Sequence, residues 1–167
     1  MPASESDLFN IFKKLNIQTS TYRHPPLHTV EESRNLRGEI AGGHCKSLFL
    51  KDKKNNYILV VMSEDRRLDI KALSKSALIN IGRLSFASAE RMQDILGITP
   101  GSVTPFSLIN VTNNKLIVVL DQEMLENDLL NYHPLHNEAT TTIQKDGLIK
   151  FINHFGFKPI IIDFDQL

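Results

Sequence analysis

Residues 47–63 read SLFLKDKKNNYILVVMS: two apolar runs separated by a short polar stretch. The second run is dense in Val, Ile and Leu, residues that suit a pleated, buried surface. Lys53–Asn56 between them is a turn sequence, so the segment reads as a β-hairpin. The elements on either side follow from this pair. Upstream, Gly42-Gly43-His44-Cys45-Lys46 leads directly into the first strand and packs two glycines, a histidine, the sole cysteine and a lysine at its mouth. Downstream, DIKALSKSAL and ASAERMQDILG carry helical spacing, with Asp69 as a cap and Gly97 as a stop.

The flanking segments fill in the pattern. Leu8, Ile11, Phe12 and Leu15 recur at helical spacing after Ser4 or Ser6, which predicts an N-terminal helix. Two prolines in TYRHPPLHT exclude a helix there. TVEESRNLRGEI opens on Thr29 with Glu32 three residues later, a capping-box pattern, and Gly42-Gly43 ends it. TPGSVTPF is a proline-braced loop. FSLIN and KLIVVLD suggest a second hairpin around Asn113-Asn114, and QEMLENDLL a short helix. EATTTI suits a strand, DGLIKFINHFG a helix ending at Gly156, and KPIIID a last strand. Helices and strands are interspersed with antiparallel pairing. The fold class is therefore α+β, or mixed α/β: a single domain over residues 1–167 with a sheet flanked by helices.

Composition narrows the function. Lys and Arg total 19, as do Asp and Glu, so the chain is neutral. A protein that coats nucleic acid through bulk charge would carry a basic excess. Recognition of a single-stranded end by stacking and hydrogen bonds needs none. One cysteine cannot form an internal disulfide, which points to a reducing compartment. There is no basic-then-apolar N-terminal leader, and no run approaches about 18 apolar residues. A cytoplasmic protein without membrane segments is expected.

Reactive polar groups gather in four loops: RHPPLHT, GGHCK, TPGSVTP and YHPLHNEATTT. Lys46 follows the glycine pair at the entry of a strand, where an ammonium can sit at the floor of a cleft. Gly101 and Ser102 lie in a tight turn whose successive N–H groups can form an anion nest. His133 opens HPLHN, with Asn137 close by. Cys45 beside His44 and Lys46 invites a nucleophile reading, but strand alternation turns it to the side opposite Lys46. His24 with His28, or His133 with His136, could pair on a metal. Prolines break both spacings and no further ligand completes a set, so no metal or other cofactor is expected.

Four stretches, HPPLHTVEES, GGHCKSLFLKD, LSFASAERMQDILGITPGSVTPFSLIN and HPLHNEATTTI, resemble the YbaK/prolyl-tRNA-synthetase-associated editing domains. Among these they are most similar to the free-standing PrdX (ProXp-ala) type. In order and spacing the resemblance runs from about Tyr22 to Asp163. It implies a mixed sheet curled into a partial barrel with helices around it, and hydrolysis of mischarged aminoacyl-tRNA, alanine on proline tRNA in particular. On this resemblance Lys46 anchors the substrate end beside the scissile ester. His133 orients water or bonds the terminal ribose. Gly101 and Ser102 cradle the aminoacyl group, and Asn137 assists. Ser47 stands where the free-standing members carry asparagine, and is a substrate-binding position. The implied partners are the CCA end and acceptor stem of a mischarged tRNA, and prolyl-tRNA synthetase; DNA and membranes are not. Two alternatives remain open at this point: a deacylase for cysteine or another small amino acid, and a non-catalytic module that binds tRNA ends or a partner.

Overall fold

The computed structural model describes residues 1–26, 31, 32, 35, 40–112 and 116–167. Its centre is an eight-stranded mixed sheet in the order β1-β7-β6-β2-β3-β5-β8, with β4 attached separately to β2. The strands are β1 (Thr19–Arg23), β2 (Gly43–Lys51), β3 (Tyr57–Ser63), β4 (Ser85–Phe86), β5 (Leu116–Asp121), β6 (Leu129–Tyr132), β7 (Ala139–Gln144) and β8 (Ile160–Ile162). The described helices are α1 (Glu5–Lys14), α2 (Ile70–Ser74), α3 (Ala89–Leu96) and α4 (Lys145–His154). This is the mixed α/β class expected from the sequence.

The hairpin at 47–63 forms as read. β2 and β3 pair antiparallel from Cys45–Ser63 to Lys51–Tyr57. Asp52 organises its turn. The carboxylate, 3% exposed, accepts from the Lys54 and Asn56 backbone N–H groups, the Asn56 amide and the Gly82 N–H. Asn55 takes the left-handed conformation that the turn needs, with φ of 60°.

β2 divides the sheet's two faces. Cys45 and Phe49 face the larger core, which α1, α3 and α4 cover with Leu8, Phe12, Leu96 and Phe151. Leu48 and Leu50 face a second core with Val60, Met62 and Leu73 of α2. α1 begins with a capping box between Ser4 and Asp7. An aromatic trio ties the larger core together. Phe106 lies edge-on to Phe12 at 5.2 Å and to Phe151 at 5.4 Å, an arrangement worth about 0.5–1.5 kcal/mol per pair beyond area burial.

Three expectations change. FSLIN is not a strand: Pro105–Asn110 is a 3-10 helix, capped by Thr104, because Pro105 pre-sets the first helical φ and Phe106 is drawn into the aromatic trio. KLIVVLD therefore has no hairpin partner there, and β5 instead pairs parallel with β3 and β8. Residues 113–115, the expected turn, lie outside the described residues. QEMLENDLL holds only a 3-10 turn at Met124–Glu126, and its second half becomes β6. β1 went unread, as did β4. Of the helix expected from Thr29, residues 31, 32 and 35 are helical and the remainder lies outside the described residues.

Candidate active site

The glycine pair straddles the start of the sheet, with Gly42 in a bend and Gly43 in the strand. β2 begins at Gly43, so Lys46 is inside the strand. The glycines permit a close approach of neighbouring chain. A Cβ on Gly42, whose φ is +100°, would stand 2.7 Å from the Leu129 carbonyl oxygen, and one on Gly43 would stand 2.7 Å from the Asn127 amide. A side chain at Gly42 would push β6 off β2, whereas one at Gly43 would displace the Asn127 side chain.

That closeness creates the site. β2 pairs parallel with β6 through Gly43–Leu130 and His44–Asn131. The ladder stops there, with Lys46 two residues further along β2 and His133 just past the end of β6. Between these positions the Cys45 thiol meets the Tyr132 hydroxyl. β6 in turn pairs with β7, and β7 with β1. These strands therefore share one face in two cross-strand rows. One runs Ser20, Thr142, Asn131, His44, Glu64; the other joins Tyr22 to Thr140 and Lys46 to Met62, with His133 just past the end of β6. This is the same face of β2 and β3 that carries the second hydrophobic core, and it changes from apolar to polar at Lys46.

The rows are bonded internally. Asn131, 2% exposed, donates to the Ala41 and Gly43 carbonyls and accepts from Thr142 Oγ1. It pins the glycine segment. His24 Nδ1 lies 2.8 Å from the Pro25 carbonyl and its Nε2 2.8 Å from Thr140 Oγ1. The carbonyl can only accept, so Nδ1 carries the proton and Nε2 receives the threonine hydroxyl.

His133 follows the same logic. Its Nδ1 donates to the Ala139 carbonyl at 3.2 Å, which leaves Nε2 with the lone pair. Burial lowers its pKa and outweighs the bond to the Ala139 carbonyl, which acts the other way. A neutral imidazole at pH 7 follows. Burial also lowers the Lys46 pKa, with Arg67 acting in the same sense and Glu64 and Asp65 opposing it.

The proline-braced loop meets the segment after His133. Gly101, with φ of +91°, lies against Asn137: a Cβ there would stand 3.8 Å from the Asn137 amide. The Ser102 N–H donates to the Thr99 carbonyl at 3.1 Å and its side chain is buried. That N–H closes the turn, so the expected nest of successive donors is reduced to Gly101. His136 fastens the other side, with Nε2 to Glu5 at 3.0 Å and Nδ1 accepting from the Glu138 N–H. Arg23 completes the tie through a paired contact with Glu5.

Ser47 is placed apart from Lys46. It shares the larger-core face of β2 with Cys45 and Phe49, opposite Val61. Its backbone is better placed than its side chain. β6 leaves β2 after His44 and β4 joins only at Leu50. The alternation shown by Phe49, whose carbonyl accepts from Ala87, turns the Ser47 N–H and C=O toward the gap between them.

Cys45 has no nucleophilic setting. Burial pushes its thiol up to about 12, opposed by bonds from Tyr132 and Asn131, and a thiol this high is protonated at neutral pH. Among the described residues no three His, Cys, Asp or Glu side chains converge to hold a metal ion. No described helix is long and apolar enough to cross a membrane. Sequence reasoning missed Glu64, Thr140 and Asn131 as members of the polar face. Only the strand pairing brings them there; Thr140 lies in the YHPLHNEATTT stretch, and no motif marks Glu64 or Asn131.

Comparison with known proteins agrees with this architecture. The aminoacyl-tRNA editing domain family matches residues 24–151. Prolyl-tRNA synthetase associated domain-containing protein 1 of Mus musculus is 35% identical over 154 residues, covering 90% of each chain. The prolyl-tRNA editing protein ProX of Acetoanaerobium sticklandii is 33% identical over 150 residues, covering 88% of this chain and 90% of its own. A solved structure described as a proposed trans-editing enzyme for prolyl-tRNA synthetase superposes with a TM-score of 0.70 at 19% identity, over 96% of each chain. The polar face thus sits on a fold shared with editing proteins. The chain belongs to the aminoacyl-tRNA editing domain family, enzymes that remove amino acids from charged tRNA. Within that family it is similar to the members named for prolyl-tRNA.

Proposed function

We propose that the protein acts in trans to hydrolyse Ala-tRNA(Pro), and that Lys46 and His133 are its working residues. The observation that supports this is the pairing of β2 with β6 at Gly43–Leu130 and His44–Asn131, from which Lys46 and the neutral imidazole of His133 each follow two residues on. In the reaction a water oxygen bonds to the ester carbonyl carbon. The bond from that carbon to the ribose oxygen then breaks, and the ribose hydroxyl and the free amino acid leave with the water's two protons shared between them.

His133 Nε2, as an acceptor, orients the attacking water or the terminal ribose hydroxyl. Lys46 holds the terminal phosphate and ribose of the CCA end by a charge-assisted bond. The ester lies over the gap between β6 and β4, where the Ser47 backbone faces it. Gly101 and Asn137 close over the aminoacyl group, and the buried Ser102 keeps their loop in shape. Alanine fits the logic of a second sieve. A synthetase pocket built for proline cannot exclude a smaller residue, since one or two missing methylenes change binding by only about 1–3 kcal/mol. A neutral chain working in the cytoplasm would draw its selectivity from the acceptor stem, the amino-acid pocket or an association with prolyl-tRNA synthetase.

A side-by-side deacylation assay with Ala-, Pro-, Ser- and Cys-tRNA(Pro) at equal concentration tests the reading. Alanine is expected to leave fastest, with little loss of proline or cysteine and partial loss of serine. Preference for the cysteinyl ester or rapid loss of correctly charged proline overturns the alanine assignment. No hydrolysis of any ester overturns the catalytic reading and favours a module that binds tRNA ends.

A further inference from the structure

An aminoacyl ester carries one cationic group, the α-ammonium, one carbon away from the scissile carbonyl. A site that places Lys46 beside that carbonyl repels the ammonium unless a carboxylate receives it. On the polar face the other members of the two rows are hydroxyls, an amide, imidazole rings and Met62. Glu64 is the carboxylate among them.

Its position is set by backbone rather than by its own side chain. The Glu64 N–H bonds the His44 carbonyl at 2.9 Å, extending the β2–β3 ladder by one pair beyond Cys45–Ser63. Glu64 is thereby opposite His44 and diagonal to Lys46, a separation that long side chains span. The charge of Glu64 acts on both Lys46 and His133. The turn that carries it is held from the other side. Buried Asp121 accepts from the Ser63 N–H at 3.1 Å. Arg66 reaches Asp121, Glu123 and Asp165. A recognition group on such a frame needs little reorganisation to act.

There is also room. Glu64 borders a cleft of about 560 Å³ lined also by Gly42, Gly43, His44, Asp65, Arg66 and Glu123. The two glycines add no side chain to that lining.

We infer that Glu64 receives the substrate's α-ammonium group and so makes the enzyme selective for esters with a free amine. The inference rests on the editing reading above. A peptidyl or formylated ester, whose nitrogen is an uncharged amide, would be spared, which is what a deacylase working among translating ribosomes requires.

The test compares the wild-type protein with Glu64→Gln on Ala-tRNA(Pro) and on lactyl-tRNA(Pro), in which a hydroxyl replaces the amine. Wild type is expected to favour the alanyl ester. Glu64→Gln should lose about 10- to 100-fold in kcat/KM on that ester, the range of one charge-assisted hydrogen bond, chiefly through KM. Its rate on the lactyl ester should be unchanged, which also shows that the variant is folded. Glu64→Asp should recover part of the preference, and Asp65→Asn should leave it intact. Equal wild-type rates on the two esters, an equal loss on both in Glu64→Gln, or transfer of the effect to Asp65→Asn would each overturn the inference. Absence of wild-type activity on every ester would instead overturn the editing reading on which it rests.

Discussion

Replacing Lys46 with methionine separates what this residue does for catalysis from what it does for the fold. Methionine keeps most of the aliphatic stem beside Leu48 and Met62 and removes only the ammonium. The ammonium is partly withdrawn from water, and that withdrawal lowers its pKa. A lowered pKa means that the charged form is less favourable in the folded chain than in the unfolded one. The penalty is complete below the folded-state pKa, including neutral pH, and fades as pH rises toward the unfolded lysine value near ~10.4. Lys46→Met should therefore be as stable as wild type or more so, within about 1 kcal/mol. The activity should move the other way. Losing one charge-assisted bond costs about 1.5–3 kcal/mol. The ester also loses its fixed orientation over the gap, and a misplaced reacting group costs a further factor of order 10². Together these give a fall of about 10³-fold or more in single-turnover deacylation. Thermal unfolding and single-turnover rates at matched pH measure the two halves. A folded variant with near wild-type turnover refutes the anchoring role. A variant destabilised by more than about 2 kcal/mol refutes the view that the charge is a burden on the fold.

The neutral His133 predicts that kcat/KM falls on the acid side with a midpoint below the usual histidine range, because protonation removes the Nε2 lone pair; in His133→Asn that limb should vanish along with most of the rate. Asp52→Ala removes an acceptor for four donors and should cost about 2–4 kcal/mol. Burial opposes the charge of Asp52, but the Asn56, Gly82 and Lys54 bonds outweigh it and depress its pKa. The cost should therefore be full above the unfolded aspartate value of ~3.9 and shrink as pH falls through the lower folded value, which urea titrations at stepped pH would reveal. Cys45→Ala should retain deacylation, and the native thiol, pushed up to about 12, should resist a maleimide that labels it once the chain unfolds; rapid native labelling with loss of activity would contradict that protonated setting.

Much of the local structure is legible in the chain. The Ser4–Asp7 cap, the 47–63 hairpin, the Asp69 cap, the Ser88 helix ending at Gly97 and the helix before Gly156 all depend on neighbours within a few residues. Such signals survive in sequence because the groups that satisfy one another are close along the chain. Lys46, Gly101, His133 and Asn137 were visible for another reason: each belongs to a motif, and its type suits binding or proton transfer.

What the tertiary structure alone decides is which of these residues meet. FSLIN is apolar enough for a strand, and its 3-10 form depends on contacts between Phe106, Phe12 and Phe151. β1 looks like polar loop until Thr21 bonds Thr141, 120 residues away. The register of Gly43 with Leu130 joins positions far apart in sequence, and apolar periodicity specifies a buried face but not the partner strand. That register puts His44 in one row with Asn131, while alternation along β2 turns Ser47 to the face opposite Lys46 and the β2–β3 ladder brings Glu64 into the row. The sequence determined which groups are available to the chemistry, whereas the pairing of β2 with β6 decided their arrangement, because that pairing is set by contacts that close only when the whole sheet has formed.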